Sequence, residues 1–197
     1  PYTSSAASDV YKRQDLTRGK PHSDQLDLSN NLMTQAVDPI GENGVDLRNY
    51  GEPIGIIEAR KLGADILDSK IDLTIAGEQS SYLLMTQLLL GRFLFGLDDD
   101  PWKNDKEPAF LCAVPGFDRH FATLEGLGLK MHTVNLCSSG IDLDDLNKKL
   151  SKYPNIKGLI CVPRHSNPSG EVFSDENITN LLKLSLIHIS EPTRHHV

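Results

Sequence analysis

Two kinds of apolar run alternate along this chain. Ile71–Ala76 (IDLTIA), Phe110–Val114 (FLCAV), Leu129–Val134 (LKMHTV) and Gly158–Val162 (GLICV) are short and bounded by polar segments. They read as strands, and Gly158–Val162 carries the continuous pattern of a strand covered on both faces. Between them, Ile54–Leu67, Ser80–Phe95, Asp118–Leu127 and Asp142–Lys152 carry apolar residues at helical spacing. Strands alternating with helices of this length predict βαβ units and a mainly parallel sheet, an α/β fold. Pro53 suits the first turn of the helix it precedes. Ser174 is a candidate N-cap, with Asp175 and Glu176 placed for the helix dipole. Gly91–Pro108 begins as a helix end and becomes a polar loop, and the sequence has no repeat and no low-complexity tract.

Composition narrows the function classes. At 197 residues the chain is long enough for one domain or slightly more. A net charge of −7 argues against nucleic acid or an anionic membrane surface as the main partner. The longest apolar run, Tyr82–Leu90, is interrupted by Thr86 and Gln87 and is too short to cross a bilayer. The opening PYTSSAASDVYKRQ lacks the apolar core of a signal peptide. Cys112, Cys137 and Cys161 lack metal-ligand spacing, so no metal is expected. They read as three buried, reduced thiols of a cytoplasmic protein.

Three loops carry candidate chemistry. Cys161–Gly170 (CVPRHSNPSG) leaves an apolar strand and contains an Asn-Pro-Ser-Gly turn. In open α/β sheets ligands sit beyond the carboxyl ends of strands, where the Asn167 amide could meet a bound ring. Gly77-Glu78-Gln79-Ser80-Ser81 follows a predicted strand and opens a helix, where free N–H groups and hydroxyls suit a phosphate. Glu78 must then turn its carboxylate away. Phe117 follows Pro115-Gly116 at the end of another predicted strand, where a flat ring can stack on a second one. Each has a plainer reading: a common turn, a capped helix start, and a core phenylalanine.

Together with two further stretches, these segments resemble the pyridoxal-phosphate (PLP) aminotransferases of fold type I. Asp15–Pro21 (DLTRGKP) is similar to the loop at the mouth of the substrate site. Arg48–Gly51 (RNYG), followed by Gly55, is similar to the tyrosine segment that reaches a neighbouring subunit's cofactor. Cys112–Phe121 (CAVPGFDRHF) is similar to the segment whose aromatic stacks on the pyridine ring. The likeness covers about residues 15 to 183 and is nearest to the corynebacterial-type aspartate aminotransferase subgroup. It implies a three-layer α/β/α sandwich, the large domain of the family, and a cytoplasmic homodimer. Gly77, Gln79, Ser80 and Ser81 would bind the cofactor phosphate, Phe117 would stack on the ring, and Asn167 would donate to its phenolic oxygen. Tyr50 would reach the partner's phosphate, and Gly19 would pass the substrate carboxylate. The substrates would be an amino acid, aspartate or a similar one, and a 2-oxo acid.

The resemblance also requires a Schiff-base lysine, an acid paired with the pyridine nitrogen and a carboxylate-binding arginine, all downstream of the Asn-Pro-Ser-Gly turn. Lys157 and Lys183 sit on a predicted strand and helix and are no substitutes, so no catalytic residue is assigned. VYKRQ and SLIHISEPTR resemble translated sequencing-adapter read-through. Residues 1–14 and 185–197 are accordingly expected to be non-native and to carry no fold, leaving a piece of a longer enzyme that is inactive by itself. Residues 15–52 form an amino-terminal arm and residues 53–184 a partial large domain, whose sheet keeps one open edge. The alternatives are a PLP-dependent lyase or decarboxylase on the same scaffold, or a non-catalytic effector domain of a transcription regulator. A dinucleotide-binding fold is disfavoured because no G-x-G-x-x-G follows a predicted strand.

Overall fold

The computed structural model describes residues 21–97 and 100–190, with side chains as far as residue 184. The chain divides into two compact units, one up to Ala76 and one from Gly77 onward. The expected boundary lay at 52/53. The helix after it instead belongs to the first unit.

In that first unit, helix α1 (Ser23–Asp27) opens on a capping box between His22 and Gln25. Pro53 sits in a turn closed by Gly55 N–H donating to the Glu52 carbonyl at 3.0 Å, the second position where its fixed φ fits. Helix α2 therefore starts at Ile57 and runs to Leu67, three residues later than the apolar pattern suggests. Ile71–Ala76 is not a strand. Ile71–Leu73 form a 3-10 turn, and the segment pairs with no strand among the described residues. Arg60 of α2 occupies its carbonyls instead, with Nε 2.9 Å from Thr74 O and Nη2 2.8 Å from Ile71 O. β-branched residues favour extended backbone, but a strand also needs a ladder for its polar groups.

The second unit is the α/β body. Helix α3 (Ser81–Leu94) leads through a loop to β1 (Ala109–Val114), then α4 (Asp118–Gly126), β2 (Lys130–Cys137) and β3 (Gly140–Ile141). Helix α5 (Leu143–Lys152), β4 (Ile156–Ile160) and α6 (Asp175–Ser190) complete it. The sheet order is β3-β2-β1-β4, with β1 parallel to both β2 and β4 and only the short β3 antiparallel. Beyond β4 no strand follows among the described residues.

Strand alternation on β1 builds both cores. Phe110 and Cys112 join Trp102, Leu124, Leu129 and Ile160 beneath Leu89 and Phe93 of α3 and Phe121 of α4. Leu111 and Ala113 join Val134, Ile141, Leu146 and Phe173 beneath Leu143 and Leu150 of α5 and Ile178 and Leu181 of α6. Helices thus cover both faces and give three layers. Leu111 is 1% exposed, and burying such a side chain contributes about 1.5–3 kcal/mol.

Capping fixes where the helices begin. Asp142 Oδ1 accepts from the N–H groups of Asp144 and Asp145, each at 3.0 Å, and Lys149 and Lys152 complement the dipole at the far end of α5. Ser174 caps α6 as its sequence suggests, accepting from Asn177 N at 3.1 Å. No helix breaker interrupts α6, which stays helical to Ser190, six residues into the segment expected to carry no fold. Residues 1–14 and 191–197 lie outside the described residues.

Asn177 also joins α6 to the sheet edge. It is 5% exposed; its Oδ1 accepts from Ile141 N at 3.1 Å and its Nδ2 donates to Ile141 O at 2.8 Å. The side chain acts as the missing neighbour of a two-residue strand. Gly140 lets it approach, because a Cβ there would lie 2.4 Å from Asn177 Oδ1. Asn177→Ala should strand a buried N–H and a buried carbonyl, costing about 2–4 kcal/mol, read as a fall in the urea midpoint.

Cys137 departs from the expectation of three buried thiols: it is exposed, while Cys112 is buried and Cys161 partly so. Burial pushes the Cys112 thiol up to about 11 and raises Cys161. Hydrogen bonding to Ser139 lowers Cys137. The thiolate is the reactive form, so iodoacetamide at neutral pH should alkylate Cys137 first and Cys112 last, as peptide mass spectrometry will show.

Candidate functional site

Because β1 and β4 are parallel neighbours, their carboxyl ends lie at one edge of the sheet. From β1 the chain passes through the cis Val114–Pro115 bond and Gly116 to Phe117, the N-cap of α4. Gly116 is required by crowding: a Cβ would lie 2.6 Å from Ala113 O and 2.7 Å from the Phe121 ring. Phe117 is half-buried, and its ring meets His120 edge-on, with centroids 5.2 Å apart at 75°.

From β4 the chain passes into the Asn-Pro-Ser-Gly loop. Phe173 N–H donates to Pro163 O at 2.9 Å and Ser166 N–H to Glu171 O at 3.0 Å, while Gly170 N–H closes the tip onto Ser166 O. Ser166 is 5% exposed, whereas Asn167 at the tip is exposed and precedes the second cis proline bond. The Asn167 amide makes no hydrogen bond to a described residue. Phe117, His120, Cys161, Ser166 and Phe173 line one small cleft.

The first turn of α3 arrives at the same edge. Tyr82, two residues beyond the N-cap Ser80, lies with His120, Thr123 and Ile160 around a gap that has no room for a water molecule. Ser80 Oγ accepts from Leu83 N at 3.4 Å. The N–H groups from Gly77 to Tyr82 have no acceptor among the described residues, as at any helix start. Ser81 presents an exposed hydroxyl and Gln79 is exposed. Glu78 turns aside as anticipated, Oε1 accepting from Gln87 Nε2 at 3.1 Å.

Phe117 and Ser166 line one cleft, and Tyr82 near the start of α3 lies beside His120 and Ile160, while Gly77–Ser81 and Asn167 line neither of these clefts. Tyr50 belongs to the first unit, where it is 97% exposed. Gly19 lies outside the described residues. The buried Ser166 and the Tyr82–His120–Thr123 cluster are additions that the motif reading passes over. His120 could have been found by spacing, since i and i+3 share a helix face with Phe117. The contact of Tyr82 with α4 leaves no local signal.

The donor set suits a flat anion with a phosphate. Backbone N–H groups and hydroxyls stand at the α3 end, an aromatic face at Phe117 and an amide at Asn167, and the Glu78 carboxylate is tied to Gln87. Among the described residues, the clefts at this edge include no lysine.

A crystal structure of an aspartate transaminase from Corynebacterium glutamicum is similar, with a TM-score of 0.75 at 35% identity over 83% of this chain and 39% of that one. LysN of Thermus thermophilus, an α-aminoadipate aminotransferase complexed with N-(5'-phosphopyridoxyl)-L-leucine, shares the fold. Its TM-score is 0.55 at 20% identity, over 72% of this chain and 33% of LysN. The architecture is thus the α/β fold of the PLP-dependent transferases. The family described as aspartate amino-transferase matches residues 7–188, and the chain belongs to that family. Aspartate aminotransferase of C. glutamicum is 37% identical over 168 residues, 82% of this chain and 38% of its own length. The chain spans about two-fifths of the length of its curated relatives (38% and 41%).

Gly116→Ala tests how the Phe117 turn is built. The added methyl group has backbone on one side and the Phe121 ring on the other, so the substitution should cost about 1–3 kcal/mol. Thermal unfolding will report the loss, and ring-proton NMR should show Phe117 displaced from His120.

Proposed function

We propose that this chain carries the cofactor-binding part of an aminotransferase that uses pyridoxal 5'-phosphate. The reading is supported by membership of the aspartate amino-transferase family and by the cleft beyond the carboxyl ends of β1 and β4 that Phe117 and Ser166 line. When bound, the cofactor supplies the electron sink that lets an amino group pass between an amino acid and a 2-oxo acid.

Each residue has a separate task. The N–H groups of Gly77, Gln79 and Ser80, with the Ser80 and Ser81 hydroxyls, hold the phosphate without a paired cation. Phe117 covers one face of the ring, an offset contact contributing about 0.5–1.5 kcal/mol beyond burial. Asn167 donates its amide to the phenolic oxygen. In the first unit, Gly19 gives the substrate carboxylate room, and Tyr50 serves the phosphate site of a second subunit in a cytoplasmic homodimer. Its almost complete exposure supports that assignment, because the phenol is available to another chain. The substrate is aspartate or another dicarboxylic amino acid, an inference from the family relation.

By itself the chain binds and does not transaminate. Lys157 lies near the amino end of β4 and pairs with Asp105 at 2.6 Å, and Lys183 rides on α6. Neither lines the clefts at the carboxyl edge.

Calorimetric titration with pyridoxamine 5'-phosphate and with pyridoxamine tests the reading. The phosphorylated ligand should bind more tightly, and Ser80→Ala and Asn167→Ala should each weaken it about tenfold, a loss of about 1.4 kcal/mol. Equal affinity for the two ligands would remove the phosphate assignment. Tyr50→Phe should leave a single chain unaffected and weaken binding only where sedimentation shows a dimer.

A further inference from the structure

The cofactor reading asks one rigid ligand to touch two helices at once: α3 at its phosphate and the start of α4 at its ring. The spacing between those helix starts must therefore be fixed by the protein. Tyr82 Oη and Thr123 Oγ1 form a hydrogen bond of 2.8 Å between part-buried side chains on α3 and α4. Thr123 Oγ1 also bonds to the Arg119 carbonyl at 3.1 Å, which holds the hydroxyl against its own helix. The Tyr82 ring lies 6.4 Å from the His120 ring, tilted by 32°, and His120 in turn meets Phe117 edge-on. Tyr82 directly follows the Gly77–Ser81 donors in the first turn of α3, and Phe117 is the N-cap of α4.

We infer that Tyr82 is a positioning residue, a brace that sets the distance between the phosphate-binding helix start and the stacking ring. It touches neither the phosphate nor the pyridine itself. It acts through Thr123, which fixes the approach of the helices, and through His120, which fixes the Phe117 ring. The gap between Tyr82, His120, Thr123 and Ile160 has no room for a water molecule, so the contact between the two helices here is direct. The inference rests on the cofactor reading for its purpose and on protein geometry alone for its existence.

That division gives the test. Tyr82→Phe and Thr123→Val each remove the bond while keeping the bulk of the side chain. For each variant, affinities are measured for inorganic phosphate, pyridoxamine and pyridoxamine 5'-phosphate, with ring-proton NMR of the ligand-free chain. A brace predicts that phosphate, which needs only α3, binds as in the unaltered chain, and that pyridoxamine, which feels only the shifted Phe117 ring, weakens less than pyridoxamine 5'-phosphate. Pyridoxamine 5'-phosphate should weaken about fivefold, the double variant should be no worse than either single one, and the His120 and Phe117 resonances should shift. Equal weakening of phosphate and pyridoxamine 5'-phosphate would reduce Tyr82 to a support for α3 and overturn the inference. So would unchanged ring resonances. If the unaltered chain binds the phosphorylated ring no better than phosphate while the resonances of Tyr82→Phe still shift, the cofactor reading fails and takes the assigned purpose with it.

Discussion

Burial of β1 on both faces and at both edges is the constraint from which the rest of the second unit follows. Its alternation sends Phe110 and Cys112 to one core and Leu111 and Ala113 to the other, so helices must pack above and below. Its parallel neighbours satisfy its backbone along both edges. A strand held in this way leaves little freedom at its carboxyl end, and the turn through Gly116 inherits that rigidity. The position of Phe117 is thus a consequence of core packing.

In the proposed reading, the edge built on this frame holds an anion chiefly through neutral donors. The chain is acidic overall, and the groups assigned to the proposed site are N–H donors, hydroxyls, an amide and an aromatic face. Such donors do not repel one another and carry no desolvation penalty as large as that of a buried cation. The awkward member is Glu78, whose carboxylate would oppose an anion, and Gln87 one helical stretch away holds it aside. A helix start arranged in this manner also keeps its own N–H groups uncommitted, which most helix starts resolve with water.

Local chemistry made much of this legible. Helix α3 lies within one residue of its apolar pattern at both ends because Ser80 caps it, and α5 and α6 likewise begin at their acidic or hydroxyl caps. Phe117 and Asn167 could be singled out because proline and glycine mark where a strand gives way to a loop. Ile71–Ala76 misled because β-propensity speaks for extended backbone and says nothing of a partner; Arg60, remote in sequence, took its carbonyls. Gly140–Ile141 is too short to show any period, and its pairing depends on Asn177 thirty-six residues later. Cys137 ends β2 rather than filling it, so an apolar neighbourhood in sequence did not mean burial. The Tyr82–Thr123 bond joins positions forty-one residues apart and was out of reach for any reading of one segment at a time.

Chain order and spatial order differ in the sheet, and the difference has a temporal side. β1 is made first but stands between β2 and β4, pairing Ala109 with Lys130 on one side and with Ile156 on the other. While the chain emerges from a ribosome, β1 and β2 can zip together early across α4, whereas the opposite flank of β1 stays wet until α5 and β4 have been synthesised. Closing that second flank brings distant segments together and is the slower, entropically costlier step. Phe117 can be set by the first event, but Ser166 and Asn167 arrive only with the second. The two halves of the cleft are therefore completed at different moments of synthesis, and no ligand needing both can bind before β4 is in place.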